Sequence, residues 1–142
     1  MKRQLTATLL ALAMALPLGA MAQDSSGALV VELNRVVPLD NACRLTFLAQ
    51  NNMDRDVASI VFETVLFDTS GGVERLTLFD LGDLPTARPR VREFDMAGLA
   101  CADLGRILFN GVDACEGEGV DPETCQAALS PVSRVDGVEV IG

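Results

Sequence analysis

Two runs rich in β-branched and aromatic residues, 57–68 and 73–79, are separated only by Thr69-Ser70-Gly71-Gly72. Strands joined by so short a connection must lie antiparallel, and the paired glycines accept the positive φ that a tight hairpin requires. Five further runs of the same kind follow the chain at 28–35, 43–49, 89–94, 104–110 and 132–141, the last interrupted by Asp136-Gly137. In 43–49 the period of two sets Cys43, Leu45, Phe47 and Ala49 on one face, with Arg44 and Thr46 on the other. Seven strands with few helical periodicities between them predict an all-β fold, an antiparallel β-sandwich rather than a βαβ unit. One short C-terminal helix is expected, with Asp121 as its cap, Pro122 at the first helical position and Pro131 as its stop.

The N-terminus has the parts of a secretory signal. Met1-Lys2-Arg3 is positive, 5–18 is apolar, and Ala20-Met21-Ala22 is an A-x-A site, so cleavage is expected between Ala22 and Gln23. The apolar run is shorter than the roughly 20 residues that span a bilayer, so no stable membrane anchor is expected after cleavage. Residues 23–27 then form a loose polar leader and 28–142 a single sandwich domain, exported to the periplasm or the medium. Lys2-Arg3 is not a twin-arginine pair and no cysteine follows the apolar run to accept lipid.

Without the first 22 residues the chain has 120, with nine arginines, 20 acids, no lysine and no histidine. An acidic surface repels phosphate backbones and anionic membranes, so no nucleic-acid partner is expected. The missing lysine removes Schiff-base chemistry, and the missing histidine removes Ser-His and Cys-His nucleophiles and the commonest transition-metal ligand.

Four cysteines, Cys43, Cys101, Cys115 and Cys125, in a short exported chain read as two disulfides. The favoured pairs are Cys43–Cys101 and Cys115–Cys125, with Cys43–Cys125 and Cys101–Cys115 open as the alternative. A zinc site is disfavoured because no C-x-x-C pair occurs. The segment Asp95-Met96-Ala97-Gly98-Leu99-Ala100-Cys101 is similar to the D-x-A-x-Y-x-C pattern of immunoglobulin domains, with Leu99 at the tyrosine position. That family's core tryptophan is absent here. The resemblance implies an immunoglobulin-like sandwich architecture and an inter-sheet bridge like that family's for Cys43–Cys101.

Three constellations are candidates for function. Arg88, Arg90 and Arg92 stand at alternate positions, hence on one face of an extended segment, and their guanidinium groups suit an acidic partner or an anionic ligand. The bland alternative is pairing with acids of neighbouring strands, such as Glu63 or Glu74. The acidic stretch 113–121 offers oxygen ligands for a hard cation such as Ca²⁺, though its spacing is not that of an EF-hand. The terminal segment 138–142 alternates and would pair with a partner's sheet edge or complete its own sheet.

No catalytic residues are assigned, no cofactor is expected, and the chain is not expected to be an enzyme. A hydrolase would need paired carboxylates, and no Trp or Tyr exists to stack a sugar. Thiol chemistry usually uses C-x-x-C, whereas the closest cysteines here have nine residues between them. The expectation is a disulfide-stabilised binding domain of a bacterial-type envelope, engaging another protein with Arg88, Arg90 and Arg92 as contact surface. A small-ligand or Ca²⁺-binding protein using 113–121 is the alternative, and a carboxylate-based hydrolase the third.

Overall fold

The computed structural model describes residues 26–142, so the expected signal segment and most of the polar leader lie outside the described residues. The strands are β1 (Leu29–Leu39), β2 (Ala42–Asn51), β3 (Val57–Asp68), β4 (Val73–Leu84), β5 (Arg90–Ala97), β6 (Leu104–Glu116), β7 (Leu129–Ser133) and β8 (Glu139–Ile141). They form two four-stranded sheets, β5-β2-β1-β7 and β4-β3-β6-β8. The fold is an all-β sandwich carrying one short helix, α1 (Pro122–Ala128).

Alternation builds the core. Leu29, Val31 and Leu33 of β1 and Cys43, Leu45, Phe47 and Ala49 of β2 are all buried against Ile60, Phe62 and Leu66 of β3, Phe79 and Leu81 of β4, and Ile107 and Phe109 of β6. With no Trp or Tyr in the chain, phenylalanine supplies the large volumes. Phe47 sits at the centre, its ring 5.5 Å from Phe79, 6.1 Å from Phe94 and 6.0 Å from Phe109, while Phe79 and Phe94 stack at 4.3 Å across the two sheets.

The β3–β4 connection is the expected hairpin. Gly71 takes φ 88°, and Asp68 Oδ1 accepts from the Ser70 and Gly72 amides at 2.9 Å each. That asparatate-centred turn also holds the start of β6, where the Thr69 amide donates to Asp103 O. The strands come so close there that a Cβ on Gly105 would lie 2.7 Å from Asp68 O.

The C-terminal segment departs from expectation. Residues 132–141 do not form one interrupted strand: Gly137, at φ 81°, lies in the turn between β7 in one sheet and β8 in the other. β7 runs parallel to β1 and β8 parallel to β6, so the sandwich is not wholly antiparallel. Pro131 falls inside β7 rather than merely ending the helix, which is tolerable because β7 is an edge strand and one of its edges owes no ladder bonds. α1 begins as expected, with Asp121 Oδ1 accepting from the Thr124 amide at 2.8 Å.

Two disulfides tie the layers. Cys43–Cys101 joins the start of β2 in one sheet to the 3-10 turn that leads into β6 in the other. Cys115–Cys125 joins the end of β6 to α1. Such bonds fit an oxidising compartment outside the cytoplasm. No helix among the described residues is long and apolar enough to cross a membrane.

Candidate functional site

The arginine stripe turns inward. Arg90 and Arg92 share the face of β5 that carries Phe94 and Met96, and both reach across the sandwich to Asp83 of β4. Arg90 Nη2 lies 2.5 Å from Asp83 Oδ2, Arg92 Nη2 lies 3.2 Å from Asp83 Oδ1, and Arg92 Nε donates to Leu81 O at 2.7 Å. The guanidinium of Arg90 holds the Asp83 carboxyl below the usual carboxylate range, and the pairing raises the Arg90 pKa in turn. Neither Glu63 nor Glu74 is the partner: Glu63 accepts from Asn110, and Glu74 pairs with Arg75 at 2.6 Å. Arg88 precedes β5, exposed, after Ala87 in a left-handed conformation of φ 57°. The three arginines therefore do not form one outward face. Two of them clasp the edges of the two sheets and one projects into solvent.

The acidic stretch is divided by the fold. Asp113 and Glu116 belong to β6, which runs well past Asn110, and Asp121 is occupied as the cap of α1, where the Thr124 amide and hydroxyl lower its pKa. Gly117 and Glu118 line an open cleft of about 550 Å³ together with Arg55, Asp56, Asp83 and Pro85. Two of its carboxylates are already engaged, Asp83 by the arginines and Asp56 by the Thr86 amide at 2.7 Å and hydroxyl at 3.0 Å. Among the described residues no group of three or more acids or cysteines is gathered as metal ligands. The terminal segment completes its own sheet, with Val140 opposite Ile107 and Ile141 opposite Leu108.

A fourth surface carries apolar side chains where a solvated sheet face would carry polar ones. On the outer face of the β4-β3-β6-β8 sheet, Leu76 stands opposite Val65, Val65 opposite Leu108, and Leu108 opposite Ile141, an apolar row across all four strands. Its β4 end is open: Leu76 is 74% exposed and Leu78 56% exposed. Around them runs a groove of about 310 Å³ lined by Glu63, Val65, Leu76, Leu78 and Asn110. The inner face of β4 takes Phe79 and Leu81 instead, so the two leucines are left over by the register. Strict alternation in Leu76-Thr77-Leu78-Phe79 divides large apolar residues between both faces, and that is the one sequence signal pointing to this surface.

No protein-family model, no curated protein and no solved structure significantly matches this chain.

Proposed function

We propose that this chain is an exported, disulfide-stabilised domain that works by binding another protein of the envelope, and that the exposed outer side of β4 around Leu76 and Leu78 is its contact surface. The observation that carries the proposal is the open apolar row on that sheet, because an exposed hydrophobic edge is a liability unless something covers it. The inventory is in accord: residues 23–142 hold neither histidine nor lysine, and a binding role needs neither. The intramolecular engagement of Arg90 and Arg92 moves the proposed surface away from the arginines, which serve to close the sandwich.

A photo-crosslinking residue placed at position 78 tests this in the native envelope fraction, with one at position 91 as control, since Val91 is exposed to a similar degree, 57%, on the edge strand of the other sheet. One stoichiometric adduct from position 78 that is lost on Leu76→Ser and does not form from position 91 is the expected result. Equal or no adducts from the two positions would remove the proposal, and a screen of cations and small ligands by thermal shift would take its place.

A further inference from the structure

We infer that the partner docks by strand addition, laying an extended segment of alternating apolar residues flanked by lysine or arginine along the free edge of β4 from Arg75 to Phe79; this rests on the binding-domain reading above. The four sheet edges are not alike. β5 carries inward-pointing Arg90 and Arg92 and outward-pointing Glu93 and Asp95, β7 contains Pro131 and spans five residues, and β8 spans three. Inward charges, proline and shortness are the devices by which edges are kept from pairing with other chains. β4 is twelve residues long, and its second half is also defended. There the pairing with β3 shifts register beside Asp80 and Gly82, and Arg92 donates to Leu81 O.

The first half begins with a register shift at Glu74 and one inward charge, Arg75, and beyond them carries none of these devices. From Arg75 to Phe79 the pairing with β3 runs without a shift, Leu66 to Arg75 through Phe62 to Phe79. The segment holds no proline or lysine, and its one charged residue, Arg75, stands at its start on the face of Phe79, paired with Glu74 and donating to Ala97 O, so the four residues from Leu76 to Phe79 carry no charge. A regular unpaired edge presents a row of backbone donors and acceptors, and pockets beside it select alternate side chains. Leu76 and Leu78 wall such a pocket.

Charge selects the occupant. Arg106 on this face is matched by Glu139 at 2.5 Å, whereas Glu63, directly opposite Leu78, accepts from the Asn110 amide and Asp80 from the Gly82 amide. Two carboxylates thus flank the leucines with an amide each rather than a cation, in a chain of net charge −9. A second copy of the chain fits poorly. Antiparallel self-pairing that sets Leu76 against Leu78 sets Asp80 against Glu74, whose charge Arg75 already offsets, and brings the Glu63 and Asp80 carboxylates of both copies to one seam with no cation supplied to either. The neighbouring registers set Glu74 against Leu78 or Asp80 against Leu76. A basic and apolar segment of a different protein meets the same edge without these conflicts.

The test uses the purified disulfide-bonded protein and nine-residue synthetic peptides of alternating valine and threonine, capped at both ends by lysine in one and by glutamate in another. Two further lysine-capped peptides are N-methylated on one backbone edge or on the other, which removes hydrogen-bond donors without altering the protein. Calorimetric titration is expected to show binding of the lysine-capped peptide, weakened about tenfold or more by Leu76→Ser with Leu78→Ser. Methylation of one edge abolishes binding and of the other leaves it intact, and amide exchange slows in 75–79. No binding of the lysine-capped peptide, equal binding of the glutamate-capped one, or indifference to methylation each overturns the inference, as does a dimer of the protein that Leu78→Ser dissociates. If the inference fails while the position-78 adduct forms, the binding-domain reading survives it; if the adduct is also missing, both fall.

Discussion

Asn51 is 2% exposed and spends its whole side chain on backbone groups. Its Nδ2 donates to Leu84 O and to Arg55 O, each at 2.8 Å, and its Oδ1 accepts from the Met53 amide at 2.9 Å, so one amide fastens the β2–β3 turn to the end of β4. Asn51→Ala removes three hydrogen bonds. The Arg55 and Met53 groups lie near enough to solvent to recover water, at about 1 kcal/mol each, whereas the buried Leu84 carbonyl is orphaned at about 1–3 kcal/mol. The expected loss is about 3–5 kcal/mol, or about 12–20 °C in Tm at about 4 °C per kcal/mol for a domain of this size. Asn51→Asp keeps the shape and the Met53 contact but turns one carboxylate oxygen toward two carbonyl oxygens, so near neutral pH it should cost at least as much. Its sign with pH is the diagnostic. Burial and the facing carbonyls raise the folded pKa of the introduced carboxyl above its unfolded value, so protonation favours the folded state and restores one donor. Relative to wild type, Asn51→Asp should therefore regain stability as pH falls from about 7.5 to about 4.5. Urea unfolding followed by circular dichroism at several pH values measures this. If Asn51→Asp tracks Asn51→Ala throughout, the account of Asn51 as a double donor to these carbonyls is wrong.

Other consequences can be measured in the same assay. Replacing Cys43 and Cys101 by alanine opens a loop of 58 residues and replacing Cys115 and Cys125 one of 10, so chain entropy predicts losses of about 4 and about 2.7 kcal/mol; an equal or reversed order in urea would show that loop closure is not the governing effect. Gly105→Ala drives a Cβ to within 3.0 Å of backbone atoms of Asp68 and Thr69, which cannot swing aside as a side chain can, and should cost about 1–3 kcal/mol, with the urea midpoint falling accordingly. Asp68, Asp83, Asp95 and Asp121 all have folded pKa values lowered by hydrogen bonds from serine, arginine or threonine. A depressed folded pKa contributes stability that is present above the unfolded value, about 4, and is lost as pH falls through the folded one. Thermal midpoints should accordingly decline below about pH 4, and an increase in stability there would contradict the sign.

Much of the architecture was legible in local chemistry. Gly71 in its four-residue connection, the cap at Asp121 with Pro122 behind it, and the alternation from Cys43 to Ala49 are decided within a few residues, by allowed φ, by an orphan amide and by the period of a pleat. The candidate site was not legible in this way. Arg90 and Arg92 share a face by spacing alone, but whether that face looks outward depends on β5 lying at a sheet edge above Asp83, a residue of another sheet. The same holds for the division of 113–121 between β6 and a helix cap, and for the separation of β7 from β8 into different sheets.

By itself, then, the sequence determined the class of fold, the hairpin, the helix and its cap, and the absence of histidine and of lysine beyond Lys2. Only the tertiary structure decided which face of each strand meets the core. In β4 Leu76 and Leu78 are as apolar as Phe79 and Leu81, and a period of two cannot rank two apolar faces. The choice is made by packing, because Phe79 stacks on Phe94 of the opposite sheet and draws its own face inward, leaving the leucines in water.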